Sequence, residues 1–250
     1  MPLIETESLI LKSYSLSEAD RIIVLFTREQ GLIRGVAKGA RRLKSKFGSS
    51  LEPFSLVNIG YFQKEDRELV SIQDVELVRS SFDVASVPVY LQTYSYFADL
   101  LQAFLPLNDP NETLYRMARA CVDTKFSNPT DLNAVKLYFE VWLLRLVGYL
   151  PDWTKCSRCG RVLNDVETVS SDQDENVYCG SCYNGIGSAN VIPFERELIA
   201  SALRLHPSEF ITSPHIISSD LSMISERMKR IIRRVMGEGW NSLRSNSVKL

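Results

Sequence analysis

Residues 21–37 read RIIVLFTREQGLIRGVA, two apolar runs on either side of a polar turn that ends in glycine. Short runs that are rich in β-branched and aromatic side chains and bounded by turn residues are typical of β-strands. Three further runs of this kind occur in the first 80 residues, at 9–14, 54–62 and 68–72. Five short strands favour a small β-barrel, and the five-stranded oligonucleotide/oligosaccharide-binding (OB) barrel is the first candidate, with an SH3-like barrel as the alternative.

The hydrophobic pattern becomes helical after about residue 80. Apolar side chains then recur at spacings of three and four, which is typical of helices that bury one face. The predicted helices are 88–105, one from Asp109 towards 126, one from Pro129 to Gly148, 194–205 and 220–236. Asp109 would be the N-cap of the second helix, with Pro110 at its first position. The sequence therefore predicts a multi-domain α+β protein, with an OB-type nucleic-acid-binding domain at 1–80 and an α-helical domain at 81–250.

Four cysteines form two Cys-x2-Cys pairs within the helical half: Cys156, Cys159, Cys179 and Cys182. Two such pairs joined by a short hairpin are typical of a tetrahedral Zn²⁺ site. With four protein ligands no position is left for water or substrate, so the zinc would be structural. Two disulfides, four free thiols or a redox dithiol are the alternatives, which a reducing compartment makes less favourable. The zinc module would span about 154–185, with an exposed hairpin turn at 172–176.

The net charge is only −1, but two segments are strongly basic. The first has no carboxylate between Glu29 and Glu52 and joins two predicted strands. Its glycines let the backbone approach a phosphate chain, its cations supply charge, and Phe47 could stack on a base. The candidate nucleic-acid-binding residues are Arg34, Lys38, Arg41, Arg42, Lys44, Lys46 and Phe47. The alternatives are a solvated loop for the cations and a core position for Phe47.

The second basic segment lies on the last predicted helix. An apolar seam with 3-4 spacing, formed by Leu221, Ile224, Met228, Ile231 and Val235, should face the helical bundle. Four arginines would project around the rest of the helix and form a candidate surface for a partner or for duplex DNA: Arg227, Arg230, Arg233 and Arg234. A solvated helix face, with its cations near the helix C-terminus, is the alternative.

Several functional classes are disfavoured by what the sequence contains. The N-terminus is acidic and no apolar run approaches the roughly 18 residues that span a bilayer, so we expect a cytoplasmic protein without a membrane partner. The two histidines, His206 and His215, each adjoin a proline, and the chain has no P-loop and no GxSxG motif. We therefore expect no enzymatic activity. The cysteines alone would also allow a zinc-ribbon RNA-binding or transcription-associated factor.

Four blocks of the N-terminal half, residues 18–31, 35–42, 45–48 and 51–54, resemble the RecO recombination mediators of bacteria. The likeness extends more loosely over the helical half, including the four-cysteine insertion before Pro193. It implies an OB domain, a helical domain with a zinc module, and no enzymatic activity. Ser17 stands where the family is expected to have glycine, and only part of the family has the cysteines, so zinc is not needed for the shared function.

The resemblance also implies partners. RecO proteins bind single- and double-stranded DNA and anneal complementary strands. With the ring-forming protein RecR, they help to load RecA onto strands coated by single-stranded DNA-binding protein (SSB). In some members the helical domain takes up the acidic, aromatic-ended tail of SSB. We therefore expect DNA, RecR and the SSB tail as partners, with RecA affected indirectly, and a cytoplasmic location at the nucleoid.

Overall fold

The computed structural model describes residues 2–64, 67–82, 87–126, 128–183, 189–217 and 221–237. The described residues form two compact units, 2–122 and 123–237, and residues 238–250 lie outside the description. Parts of four predictions also lie outside it: the turn at 65–66, the module end at 184–185, the helix start at 220 and the helical domain from 238 onwards. The domain boundary at residue 80 stays a prediction. In the described part of the chain, no helix is long and apolar enough to cross a membrane.

A closed five-stranded barrel forms the centre of the first unit. Its strands follow the order β1-β2-β3-β5-β4, and every neighbouring pair is antiparallel except β3 and β5. The strands are β1 (Ile4–Ser15), β2 (Arg21–Thr27), β3 (Gly31–Ala37), β4 (Leu56–Phe62) and β5 (Leu69–Arg79). The predicted OB-type barrel is confirmed. β1 and β5 are longer than predicted because polar and charged residues occupy many of their added positions and mask the strand pattern.

The barrel is filled by alternate side chains of its strands and closed by a loop. Ile23, Leu25 and Ile59 are at most 1% exposed. A Cβ on Gly35 would lie 2.8 Å from side-chain atoms of Val70 and Ile72, so the core leaves no room there for a side chain. The barrel interior is therefore close-packed and cannot hold a ligand.

Two helices, α1 (Pro88–Phe104) and α2 (Glu112–Asp123), pack against the outer face of β1 and β2. The rings of Phe26 and Tyr115 meet edge to face, with centroids 5.5 Å apart. The prediction that Asp109 caps the second helix is wrong. Asn111 Oδ1 accepts a hydrogen bond of 2.9 Å from Leu114 N–H, so the helix begins two residues later than Asp109 would place it.

The described residues of the second unit form five helices and a small sheet. The elements are α3 (Pro129–Leu146), β6 (Val169–Ser171), β7 (Val177–Tyr178), β8 (Ala189–Val191), α4 (Pro193–Arg204), α5 (Pro207–Thr212), α6 (Pro214–Ile217) and α7 (Ser222–Met236). Asn128 and Asp131 form a capping box at the start of α3. Val135, Phe139 and Leu143 of α3 have no exposed surface, which confirms that this helix is the centre of the bundle. The short helices α5 and α6 were not predicted, since four to six residues are too few to show a helical period.

Candidate functional site

Two tight turns carry the four paired cysteines. In the first, Cys156 N–H donates to the Arg161 carbonyl over 2.8 Å and Gly160 N–H donates to the Cys156 carbonyl over 2.9 Å. In the second, Cys182 N–H donates to the Cys179 carbonyl over 2.9 Å. These turns bring the four Sγ atoms within 4.8 Å of one another. The sequence spacing therefore corresponds to one cluster in three dimensions.

The cluster fits a tetrahedral metal ion. Zn–S bonds of about 2.3 Å would place the sulfur atoms about 3.8 Å apart, and the Sγ atoms of Cys159 and Cys179 are 3.9 Å apart. All four donors are thiols, the soft ligands that suit Zn²⁺. Among the residues that the structure describes, no other group of three or more His, Cys, Asp or Glu side chains is placed to hold a metal ion.

Backbone dipoles favour the thiolate form at the first turn. Burial would raise the pKa of the Cys156 thiol, but N–H groups of Cys179, Cys159 and Arg158 that point at its sulfur lower this pKa to about 6. Hydrogen bonding to the thiols of Cys159 and Cys179 instead raises the pKa of Cys182 to about 12. Four neighbouring thiolates repel one another, and a divalent cation is the group that would allow all of them to ionise.

The small sheet connects the cysteine turns to the helices. Ser157 N–H donates to the Val177 carbonyl over 2.8 Å, which joins the first turn to β7. Arg196 of α4 is buried and donates to the carbonyls of Trp153 and Leu163 over 3.0 and 3.3 Å. The cysteine turns are thus attached to the helical part of the second unit through main-chain oxygens.

The turn between β6 and β7 is the predicted hairpin turn, but it is only partly exposed. Asp172 Oδ1 accepts hydrogen bonds from the N–H groups of Asp174 and Asn176, over 2.8 and 3.0 Å. Glu175 was predicted to be exposed with the rest of the turn, and the structure corrects this. Its φ is 62° and only 2% of its surface is exposed, so its side chain points into the protein.

Glu175 is buried because it pairs with the basic helix α7. Arg227 Nη1 donates to Glu175 Oε2 over 2.6 Å, and Arg227 Nε donates to Glu195 Oε1 over 2.8 Å. The side chains of all three residues are 3% exposed. The prediction that Arg227 lies on an open surface is therefore wrong. Arg227 follows Ile224 by three residues and precedes Ile231 by four, so it belongs to the seam that packs inwards, where two carboxylates neutralise it.

Two further arginines of α7 also pair with the hairpin turn. Arg230 Nε donates to Glu175 Oε1 over 2.8 Å, and Arg234 forms an ion pair with Asp174. Arg233 lies 3.5 Å from Glu226 of the same helix. Arg230, Arg233 and Arg234 are partly exposed, and their binding to a partner or to DNA stays a prediction. The carboxylates of residues 174–175 neutralise much of the charge that the sequence assigns to this helix.

The cationic loop, which we define as residues 38–46, follows β3 and is anchored at its start. Gly39 N–H donates to Asp20 Oδ1 over 2.8 Å, and Arg41 N–H donates to the Ala19 carbonyl over 2.9 Å. Gly39 has a φ of 72°, a left-handed conformation that glycine adopts without strain. The loop therefore has a defined position against the β1–β2 turn.

The structure brings the six cations of the predicted surface to the outside of the barrel. All of them are exposed: Arg34, Lys38, Arg41, Arg42, Lys44 and Lys46. Arg34 is 3.3 Å from Glu68, but both side chains are largely exposed, so this pair contributes little. Phe47 is different. It is 2% exposed and packs in the barrel core beside Leu51, so its ring cannot stack on a base in this arrangement, and we leave it out of the surface.

The protein therefore has a two-part architecture. A closed OB-type barrel with a cationic loop is followed by a helical unit with a four-cysteine module. Residues 1–81 match the family model described as "Recombination protein O N terminal", and residues 90–200 match the one described as "Recombination protein O C terminal". Individual relatives agree. The chain is 31% identical over 199 residues to a DNA repair protein RecO of Thermodesulfovibrio yellowstonii, across 78% of this chain and 77% of the relative.

Two further relatives carry the same name. A DNA repair protein RecO of Koribacter versatilis is 31% identical over 161 residues, 64% of this chain and 65% of the relative. That of Syntrophotalea carbinolica is 28% identical over 181 residues, 72% of this chain and 70% of the relative. The chain therefore belongs to the RecO family of DNA repair proteins, as its N-terminal blocks suggested.

Proposed function

We propose that this protein is a non-enzymatic, DNA-binding recombination mediator, which anneals complementary strands and assists RecA loading onto SSB-coated DNA together with RecR. Membership of the RecO family supports the role in DNA repair. The observation that carries DNA binding is the run of six exposed cations on and after β3, with no carboxylate between Glu29 and Glu52. A cationic groove beside an OB barrel is the usual means of gripping a nucleic-acid backbone.

The action of such a surface follows from electrostatics. Complementary strands repel each other through their phosphates, and a protein that neutralises several phosphates on each strand lowers that repulsion. Because backbone contacts carry no base preference, the same surface would accept single strands and duplexes. Annealing and loading would then be driven by binding free energy alone.

We also propose that the four thiols bind one Zn²⁺ with a structural role. The chemistry of the donors and the 3.9 Å separation of Cys159 and Cys179 sulfurs support it. The ion would supply the positive charge that lets the four thiolates coexist and would hold the two turns together. DNA binding would remain with the cationic loop in the first unit.

The protein partners would be RecR and the C-terminal tail of SSB, with a cytoplasmic, nucleoid-associated location. For an SSB tail, the second unit offers a cavity of about 560 Å³ whose lining includes Tyr149, Leu150, Pro151 and Val235. Arg234 is also part of this lining and is paired with Asp174. An acidic tail with a terminal aromatic residue would suit it, since the ring could contact the apolar wall while carboxylates compete with Asp174 for the guanidinium.

The test of this function is strand annealing with and without SSB. We expect the protein to speed the annealing of complementary oligonucleotides, and to remain effective when both strands are coated with SSB. Annealing of naked strands that fails completely on coated strands would contradict the mediator role. A stronger preference for RNA competitors than for DNA would instead favour a zinc-ribbon RNA-binding factor.

The cationic loop should determine the salt dependence of DNA binding. In the variant Arg41→Ala/Arg42→Ala/Lys44→Ala/Lys46→Ala, the slope of log affinity against log salt should fall by about 0.7 for each single-strand phosphate that the protein no longer neutralises. Fluorescence anisotropy over a salt series measures this slope. The control of equal charge replaces four exposed cations outside the loop and is Arg116→Ala/Lys125→Ala/Arg145→Ala/Arg204→Ala. A slope that is unchanged in the loop variant would mean that the loop is merely solvated.

A further inference from the structure

The burial of Phe47 leaves the cationic surface without the aromatic ring that the sequence predicted for it. Of the aromatic side chains described in the first unit, Tyr14 and Phe82 are exposed, to 48% and 69%. Phe82 follows the C-terminal end of β5, at the far end of that strand from the residues that pair with β3. Tyr14 lies on β1 next to the β1–β2 turn, against which the cationic loop is anchored. Tyr14 is therefore the exposed ring near the cations.

The strand register shows what surrounds Tyr14. Tyr14 is paired with Ile22 of β2, and Ile22 is paired with Val36 of β3. Directly paired residues lie on the same face of a sheet. The adjacent row, Ser13, Ile23 and Gly35, faces the core, where Ile23 is completely buried, so the row of Tyr14, Ile22 and Val36 faces outwards. Ile22 and Val36 are only partly buried, and the three side chains form an apolar strip on the outer surface.

Cations flank this strip along β3. Residues 34 and 36 alternate with buried residues, so Arg34 and Val36 share the outer face of β3, and Lys38 is the first residue after the strand. Arg34 and Lys38 are both exposed. The apolar strip of Tyr14, Ile22 and Val36 thus lies between two positive charges. Single-stranded nucleic acids bind to surfaces of this kind, with their bases on the apolar side chains and their phosphates on the cations.

We propose that Tyr14 is a base-stacking residue for single-stranded nucleic acid, with Ile22 and Val36 extending its apolar surface and with Arg34 and Lys38 holding the flanking phosphates. This inference rests on the proposed function, which it makes more specific. The ring contributes affinity through the face of an unpaired base. It should therefore favour single strands over duplexes, in which bases are stacked on one another, whereas the loop cations act on both.

The test compares Tyr14→Ala with Tyr14→Phe. For Tyr14→Ala we expect the affinity for a single-stranded oligonucleotide to fall about 5- to 160-fold, the range for loss of one stacked base. Its affinity for duplex and the salt slope should stay the same. Tyr14→Phe should keep the single-strand affinity, because it keeps the ring. Phe82→Ala, which removes the other exposed ring described in the first unit, at the far end of β5, is the control and should change none of these values.

The possible outcomes distinguish a failure of the stacking role from a failure of the proposed function on which it rests. If the four-alanine loop variant flattens the salt slope but Tyr14→Ala binds single strands normally, the stacking role is rejected and DNA binding by the loop stands. If Tyr14→Ala loses affinity for single strands and duplex equally, Tyr14 acts by shaping the barrel, and stacking is again rejected. If neither variant changes binding, the surface itself is wrong. The variant Tyr14→Trp tests stacking directly, because the fluorescence of the introduced tryptophan should be quenched when single-stranded DNA is added.

Discussion

Cys156→Ser should reduce the bound metal from one equivalent to almost none and unfold the cysteine turns. Structural zinc in small peptides supplies about 10–16 kcal/mol of apparent binding free energy, which is folding free energy when the apo form is unfolded. The strands that join the turns are only two and three residues long and could not hold together unaided. Metal analysis and hydrogen exchange at Ser157 N–H, which donates to Val177, measure the two effects.

The first unit should not be affected by this change. DNA binding through the cationic loop is expected to persist in Cys156→Ser, because the loop and the cysteines belong to different compact units. Cys121→Ala is the control: this buried cysteine lies on α2 in the first unit, so the variant should retain its metal. A full equivalent of metal in Cys156→Ser, or no metal in the unmodified protein purified without chelator, would contradict a four-thiolate zinc site.

Arg227→Met should destabilise the second unit by about 3–5 kcal/mol, the cost of removing one partner from a buried ion pair. The substitution would remove the cation that Glu175 and Glu195 share, each with a side chain 3% exposed, and would leave Glu175 only the partly exposed Arg230. Urea unfolding followed by tryptophan fluorescence suits the measurement, since both tryptophans that the structure describes, Trp142 and Trp153, belong to the second unit.

The matched control for Arg227 is Glu226→Gln. Glu226 pairs with Lys229 and Arg233 on the exposed side of the same helix, where ion pairs contribute at most about 1 kcal/mol. Its unfolding midpoint should therefore stay close to that of the unmodified protein. If Arg227→Met also lowered the free energy of unfolding by less than about 1 kcal/mol, the prediction would be contradicted. Water would then reach the ion pairs of Arg227, and Glu175 and Glu195 would not be buried together.

The barrel was predictable because its information is local. The apolar runs that form β2 and β3 stand on either side of a turn that ends in glycine, and these two strands pair with each other. The extra length of β5 was not predictable. Residues 73–79 include Asp74, Glu76 and Arg79, and only their pairing with β4, through two bulges, makes them a strand. The cysteine cluster was predictable for another reason, since the spacing of its ligands is set by the geometry of the turns that carry them.

The electrostatics of the helical part were not predictable from the sequence. Glu175 is 52 residues from Arg227 and Glu195 is 32 residues from it, so no local pattern links them. The one signal was the position of Arg227 within the 3-4 apolar spacing of α7, where an arginine requires a buried acidic partner. Phe47 shows the converse: an aromatic residue beside cations in a loop resembles a stacking residue, but its ring is buried in the barrel core.

The pairing of Glu175 with Arg227 and Arg230 links the cysteine hairpin to the charge that α7 presents to solvent. If the hairpin opened when the metal was lost, Glu175 and Asp174 would move away, and the guanidinium groups of Arg230 and Arg234 would lose these carboxylates, whereas Arg227 would keep Glu195. Partly demetallated protein would then be more cationic at this helix than intact protein, although its sequence is the same. On a heparin column such a preparation would separate into two populations, and the later one would be the damaged form.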